Sequence, residues 1–147
     1  MFLGRFYHQI DEKGRVRIPT KFKEQLGDEP FITSGSNGSL LVYSQQDFYN
    51  KFLSKLTDLA IEDVEELQLA RIFASNAIEG KEDKQGRILL PQHLIDHAGI
   101  SKNLITIGVV DHVEIWSEET WTAYNKAEGS SLDSVIARLA AKKKKES

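Results

Sequence analysis

The chain has 147 residues, 40% hydrophobic and 28% charged, with a formal net charge of −3 and a pI near 5.8. That length suits one ordinary domain or two small halves sharing a core, and the absence of cysteine excludes a disulfide framework and any thiol-based metal site. No run of about 18 apolar residues suggests a membrane span, and the start turns polar too soon for a signal peptide, so a cytoplasmic, nucleoid-associated location is expected.

In chain order, residues 2–10 and 14–18 are expected to be strands either side of a turn at Glu12-Lys13-Gly14, with glycine supplying the positive φ such a turn needs. Pro19 then opens a short helix from Thr20 to Leu26, and Gly27 ends it. Residues 31–34 and 39–43 form a hairpin across Gly35-Ser36-Asn37-Gly38. Ser44-Gln45-Gln46-Asp47 resembles a capping box, with Phe48, Phe52 and Leu56 as the stripe of the following helix. Residues 61–73 read as an acidic amphipathic helix carrying Val64, Leu67 and Ala70 on one face. The second half repeats strand, turn, helix and hairpin, ending in a helix from Ser117 to about Lys126. A last segment, 131–145, places Leu132, Val135, Ile136 and Leu139 on one side and ends in Lys142 to Lys145, read as a solvated, frayed tail.

The order repeats because the sequence does. Asp11-Glu12-Lys13-Gly14-Arg15-Val16-Arg17-Ile18-Pro19 returns seventy-two residues later as Asp83-Lys84-Gln85-Gly86-Arg87-Ile88-Leu89-Leu90-Pro91. After a slip of one residue the register resumes, setting Phe31-Ile32-Thr33 against Leu104-Ile105-Thr106, Tyr43 against Trp116 and Phe48 against Trp121. Two copies of one unit imply a pseudo-symmetric body whose halves interlock. Charge is polarised along it. Residues 1–27 hold six basic side chains against three acids, and residues 44–71 hold six acids against three bases.

In each copy an aspartate ends one strand and an arginine opens the next. Asp11 and Asp83 suit bonding to backbone amides of their turns, with Gly14 and Gly86. Arg15 and Arg87 then project from a stiff hairpin base, their planar forks matching a phosphate or a guanine edge, and Lys13 adds charge beside a DNA backbone. The plainer alternative is that each Asp–Arg pair only closes its own turn. Trp116, Trp121, Tyr43 and Phe48 stand at matching positions and are read as packing residues. His93 and His97 could share one helix face as metal ligands, but no third ligand is evident. Gly35 to Ser39 lacks the pattern of a phosphate loop. No catalytic arrangement and no cofactor site is visible, so an enzyme is not expected.

Taken together, Phe2, Gly4, His8, Ile10, Asp11, Lys13, Gly14, Arg15, Ile18 and Pro19, followed by Asp83, Lys84, Gln85, Gly86, Arg87 and Pro91, resemble the MraZ family of bacterial transcriptional regulators. The similarity runs through Glu114-Ile115-Trp116 and Trp121 to about residue 127. The resemblance implies an α+β, mainly β fold of two swapped-hairpin, AbrB-like halves interleaved as a β-barrel with short flanking helices. It divides the chain into a first repeat (1–56), an acidic linking helix (57–73), a second repeat (74–127) and a C-terminal helix with a lysine-rich tail (128–147). It further implies a homo-oligomeric ring that binds repeated promoter elements ahead of the cell-division and cell-wall genes, as a repressor. Arg15 is the implied DNA contact, with Lys13, Arg87 and Lys84 beside it. Arg17 departs from the small or hydroxylated residue usual in similar sequences and adds charge next to the motif. The competing reading is a protein-interaction module, such as an antitoxin-like subunit, for which the tail lacks aromatic anchors.

Overall fold

The computed structural model describes residues 1–53 and 63–146. Its elements in chain order are β1 (Arg5–Gln9), β2 (Arg15–Val16), α1 (Thr20–Leu26), β3 (Phe31–Ser34), β4 (Leu40–Tyr43), α2 (Gln45–Phe48), α3 (Val64–Asn76), β5 (Ile78–Glu79), β6 (Ile88–Leu89), α4 (Gln92–Ala98), β7 (Asn103–Gly108), β8 (Val113–Ser117), α5 (Glu118–Lys126) and α6 (Leu132–Glu146). The chain is α+β, and its strand pairings are antiparallel. Helical residues outnumber strand residues among those described, because the segments joining and following the repeats wind into long helices.

A six-stranded sheet runs β1-β7-β8-β4-β3-β5, and a separate two-stranded ribbon pairs β2 with β6. Each repeat lends its first strand to the other's hairpin. β1 pairs with β7, Arg5 opposite Ile107 and Gln9 opposite Asn103, while β5 pairs with β3, Ile32 opposite Ile78. Two pairings put equivalent residues of the repeats face to face: Val16 opposite Ile88 in the ribbon, and Leu41 opposite Glu114 where β4 meets β8. A pseudo-two-fold axis therefore passes through both points.

The core has the same symmetry. Val16 and Ile88, Ile18 and Leu90, Phe22 and Leu94, and Leu26 and Ala98 are equivalent pairs, and all eight residues lie in one buried cluster. Fully burying a side chain of the Phe22 or Leu94 kind contributes about 1.5–3 kcal/mol. Neither repeat could close such a cluster alone. Two aromatic groups flank it, built on the equivalent pairs Tyr43 with Trp116 and Phe48 with Trp121. Phe48 and Phe52 pack with Tyr43, its ring 6.2 Å from Phe48 and 5.3 Å from Phe52, and Trp121 and Tyr124 pack with Trp116 at 5.2 Å and 5.1 Å.

Several expected boundaries moved. The first strand is interrupted at Gly4, whose φ of +97° breaks the extension, although Phe2 still bridges to Val110. Of the expected acidic helix, residues 61 and 62 lie outside the described residues, and the described helix runs from Val64 to Asn76. Val64 is exposed, and the face turned inward carries Phe73, whose ring lies 5.2 Å from Phe52. Thr33 Oγ1 donates to Phe73 O at 3.0 Å, and Asn76 Nδ2 donates to Ser34 Oγ at 3.1 Å, which fixes α3 on β3. Leu56, the last residue of the expected α2 stripe, lies outside the described residues. The tail read as frayed is helical to Glu146. Ser131 caps its start, and Arg138 Nη1 donates to Gly129 O at 2.6 Å.

Candidate nucleic-acid interface

Alternation fixes the chemistry of the β2–β6 ribbon. Val16 and Ile88 point into the core, so their neighbours Arg15, Arg17, Arg87 and Leu89 take the outer face. Arg15 stands opposite Leu89. One small surface thus gathers three arginines and one leucine from both repeats, with the two D-x-x-G-R turns at its ends.

The turns are near copies in geometry as well as sequence. Asp11 Oδ1 accepts the backbone N–H of Lys13 at 3.0 Å and of Arg15 at 2.8 Å, while Oδ2 accepts Arg15 Nε at 2.7 Å. Asp83 does the same with Gln85, Arg87 and Arg87 Nε, each at 2.9 Å. Gly14 and Gly86 sit at φ +82° and +76°, which only glycine adopts freely. The backbone N–H of Arg15, ahead of its guanidinium, holds the Asp11 carboxyl below its ordinary pKa, and the backbone N–H of Arg87 does so for Asp83. Both carboxylates stay ionised at neutral pH.

These bonds show that the plainer reading of the turns holds as far as it goes, since each Asp–Arg pair does close its own turn. Yet Asp11 engages Arg15 through Nε, on one edge of the fork. The Arg15 and Arg87 side chains remain 26% and 23% exposed. Arg87 Nη1 also lies 3.7 Å from Asp11 Oδ2, a charge contact too long for a hydrogen bond, so the turns are electrostatically linked. Arg17 is exposed and donates from Nε to Gln85 O at 3.3 Å, reaching from the first repeat to the second turn. Lys13 and Lys84 are exposed at the turn tips.

Each turn also leans on the other repeat. Ile95 of α4 crowds Gly14, and Lys23 of α1 pairs with Glu82 at 2.8 Å, just before the second turn. An open groove beside the ribbon is lined by His8, Gln9, Asp11, Arg15, Arg17 and Arg87. His8 and Gln9 close β1 just ahead of the first turn and pair with Leu104 and Asn103 of β7. There His8 Nε2 meets Thr106 Oγ1 at 2.6 Å, and burial lowers the His8 pKa. The sequence named His8 only within the family pattern and Gln9 not at all, because neither carries the charge that marks the arginines.

Other candidates resolve into structural roles. His93 Nε2 meets Asn76 O at 3.2 Å and His97 Nε2 meets Gly35 O at 3.0 Å, so each ties α4 to a different carbonyl. Among the described residues no three His, Asp or Glu side chains converge as a metal site. Tyr43, Phe48 and Trp116 are buried. One buried polar group escaped sequence reasoning: His112 Nδ1 faces Asp111 Oδ1 at 2.7 Å, its Nε2 faces Glu114 Oε2 at 2.9 Å, and its ring stacks on Tyr43 at 4.8 Å. Lys51 pairs with Asp111 at 2.8 Å on the rim of this cluster.

The geometry defines a class: duplicated α+β chains whose repeats exchange first strands and present paired arginine turns on a shared ribbon. The sequence pattern of the family described as "MraZ protein, putative antitoxin-like" matches residues 1–72 and again 73–142. The chain belongs to the MraZ family. It is 42% identical over 139 residues to the transcriptional regulator MraZ of Caldanaerobacter subterraneus subsp. tengcongensis, covering 95% of this chain and 96% of that protein. It is 39% identical over 140 residues to the protein of the same name from Acetivibrio thermocellus, covering 95% and 97%. Against that of Clostridium acetobutylicum it is 42% identical over 127 residues, covering 86% and 89%.

Proposed function

We propose that the chain is a DNA-binding transcriptional regulator that meets promoter DNA with the outer face of the β2–β6 ribbon. The observation that carries this reading is the gathering of an exposed Arg17 and the half-buried Arg15 and Arg87 on the ribbon's outer face, with Lys13 and Lys84 at its ends, in a chain of net charge −3. Each arginine fork suits a guanine edge or a phosphate, and the lysines suit phosphates. Asp11 and Asp83 act as orienters, since a carboxylate facing phosphate is repelled. Acidic residues concentrated elsewhere disfavour indiscriminate binding.

The same reading takes the exchanged strands as the swapped-hairpin, AbrB-like arrangement, with the sheet and ribbon curling toward a barrel. It assigns residues 1–56 and 74–127 to the repeats. One ribbon gives a small contact. A homo-oligomeric ring repeating that ribbon makes each further contact effectively intramolecular, which suits repeated promoter elements ahead of the cell-division and cell-wall genes. Occupying such elements represses by blocking the promoter, and the protein then works in the cytoplasm at the nucleoid, without a cofactor.

The test is binding of parent and Arg15→Ala protein to DNA upstream of its own gene and to scrambled DNA of equal length, titrated with salt, with assembly size followed by sedimentation. Preference for the native fragment is expected, with about 1–3 kcal/mol lost in Arg15→Ala per base contact, or a salt slope reduced by about 1 if the contact is to phosphate. Assembly size should not change. Parent-like binding by Arg15→Ala would sink the assignment.

A further inference from the structure

The ribbon is nearly two-fold symmetric, and on the outer face of its strands the pair Arg17 and Leu89 breaks that symmetry, as Glu12 with Lys84 and Lys13 with Gln85 do in the turns. Arg17 and Leu89 occupy equivalent places in the two repeats. Leu89 is 61% exposed on the ribbon face that also carries Arg15, Arg17 and Arg87. Its side chain leans toward the first turn, where its Cδ1 would stand 3.9 Å from a Cβ at Gly14, and it pairs across the ribbon with Arg15. Arg17 instead reaches the second turn, bonding Gln85 O. The ribbon's two ends therefore differ in chemistry: Lys13, Arg15 and an apolar side chain at one, Lys84, Arg87 and a second arginine at the other.

An exposed leucine among guanidinium groups makes a poor protein contact, because covering it would also strip water from three charges. The DNA major groove offers what such a surface matches. There a guanine edge presents O6 and N7 acceptors, and a neighbouring thymine presents its C5-methyl group. We propose that Leu89 is an apolar base contact, set against a thymine methyl beside the base edge met by Arg15. Leu89 and Arg17 together then make the ribbon directional, so that one pseudo-symmetric chain reads an asymmetric element in one orientation. This inference rests on the DNA-binding reading above and adds to it a residue and a base class.

The test uses the full chain and the upstream fragment that it prefers. Thymines in that fragment are replaced one at a time by uracil, which removes only the methyl group, and parent, Leu89→Ala, Leu89→Arg and Arg15→Ala proteins are compared. At one or two positions per element, the uracil change should weaken the parent several-fold and leave Leu89→Ala unaffected. Leu89→Arg should bind with a steeper salt dependence and smaller preference between the native element and its reversed copy. Equal sensitivity of parent and Leu89→Ala to every uracil change would overturn the proposal while Arg15→Ala still reports on DNA binding. A smaller assembly in Leu89→Ala would overturn it too, by making the leucine a contact between copies. If Arg15→Ala binds like the parent, the underlying reading falls with it.

Discussion

Asp11 receives two backbone amides and a guanidinium, so its carboxylate organises the turn before any ligand arrives. Asp11→Ala removes all three acceptor contacts and should lower the thermal midpoint. Asp11→Asn keeps an oxygen for the amides and should lose less. Because the folded-state pKa is depressed, this support is complete above the ordinary value of 3.8 and fades as pH falls through the folded one. Parent and Asp11→Ala melting curves should therefore converge in acid, and a gap that persists unchanged would refute the account. His112 has the opposite sign. Burial works against its charge, but the bonds to Glu114 and Asp111 outweigh it and the pKa is raised above 6.5. Both ring nitrogens face carboxylate oxygens, which only the imidazolium satisfies with two donors. Its contribution is full below the ordinary value and is lost as pH rises through the raised one. Urea unfolding of parent and His112→Gln should show the largest gap below about pH 6.5 and a shrinking one above it. A gap independent of pH would mean that packing on Tyr43, not charge, sets the role of His112.

At the level of elements, β1 is held by a close approach that leaves no room for a side chain. A Cβ at Gly108 would sit 2.4 Å from Leu3 N and from Phe2 C, where Gly108 N donates to Gly4 O at 2.9 Å. Gly108→Ala should cost about 1–3 kcal/mol or more and release the Phe2–Val110 bridge first, seen as faster amide exchange at Val110. Unchanged exchange there would show that the strand adapts. Such elements were unevenly legible in the sequence. The ends of α1 could be read because Pro19 and Gly27 mark them locally, and a core shared by interlocking halves was legible from the repeat, though not which residues fill it. The register of α3 could not be, since Val64-Leu67-Ala70 and Leu67-Ala70-Phe73 are equally good stripes. The contact that decides between them is Phe52, twenty-one residues away. The ribbon's outer face was half legible. The arginines announced themselves by type, but the exposure of Arg17 and Leu89 depends on Val16 meeting Ile88 across the molecule.

The whole molecule follows from the exchange of first strands. With one core built from both repeats, residues 1–72 alone should give no cooperative melting transition as a single chain, and adding 73–147 should restore one. A sharp monomeric transition in the first fragment would contradict the shared core. The pairing of β1 with β7 also sets a schedule for synthesis. Arg5 needs Ile107 and Gln9 needs Asn103, so at about 5–20 residues per second the first strand leaves the ribosome roughly 5–20 s before its partner exists. During that interval it is an open edge, able to pair with another nascent chain. Crowded polysomes should then raise the share of chains whose first strand pairs with a neighbouring copy.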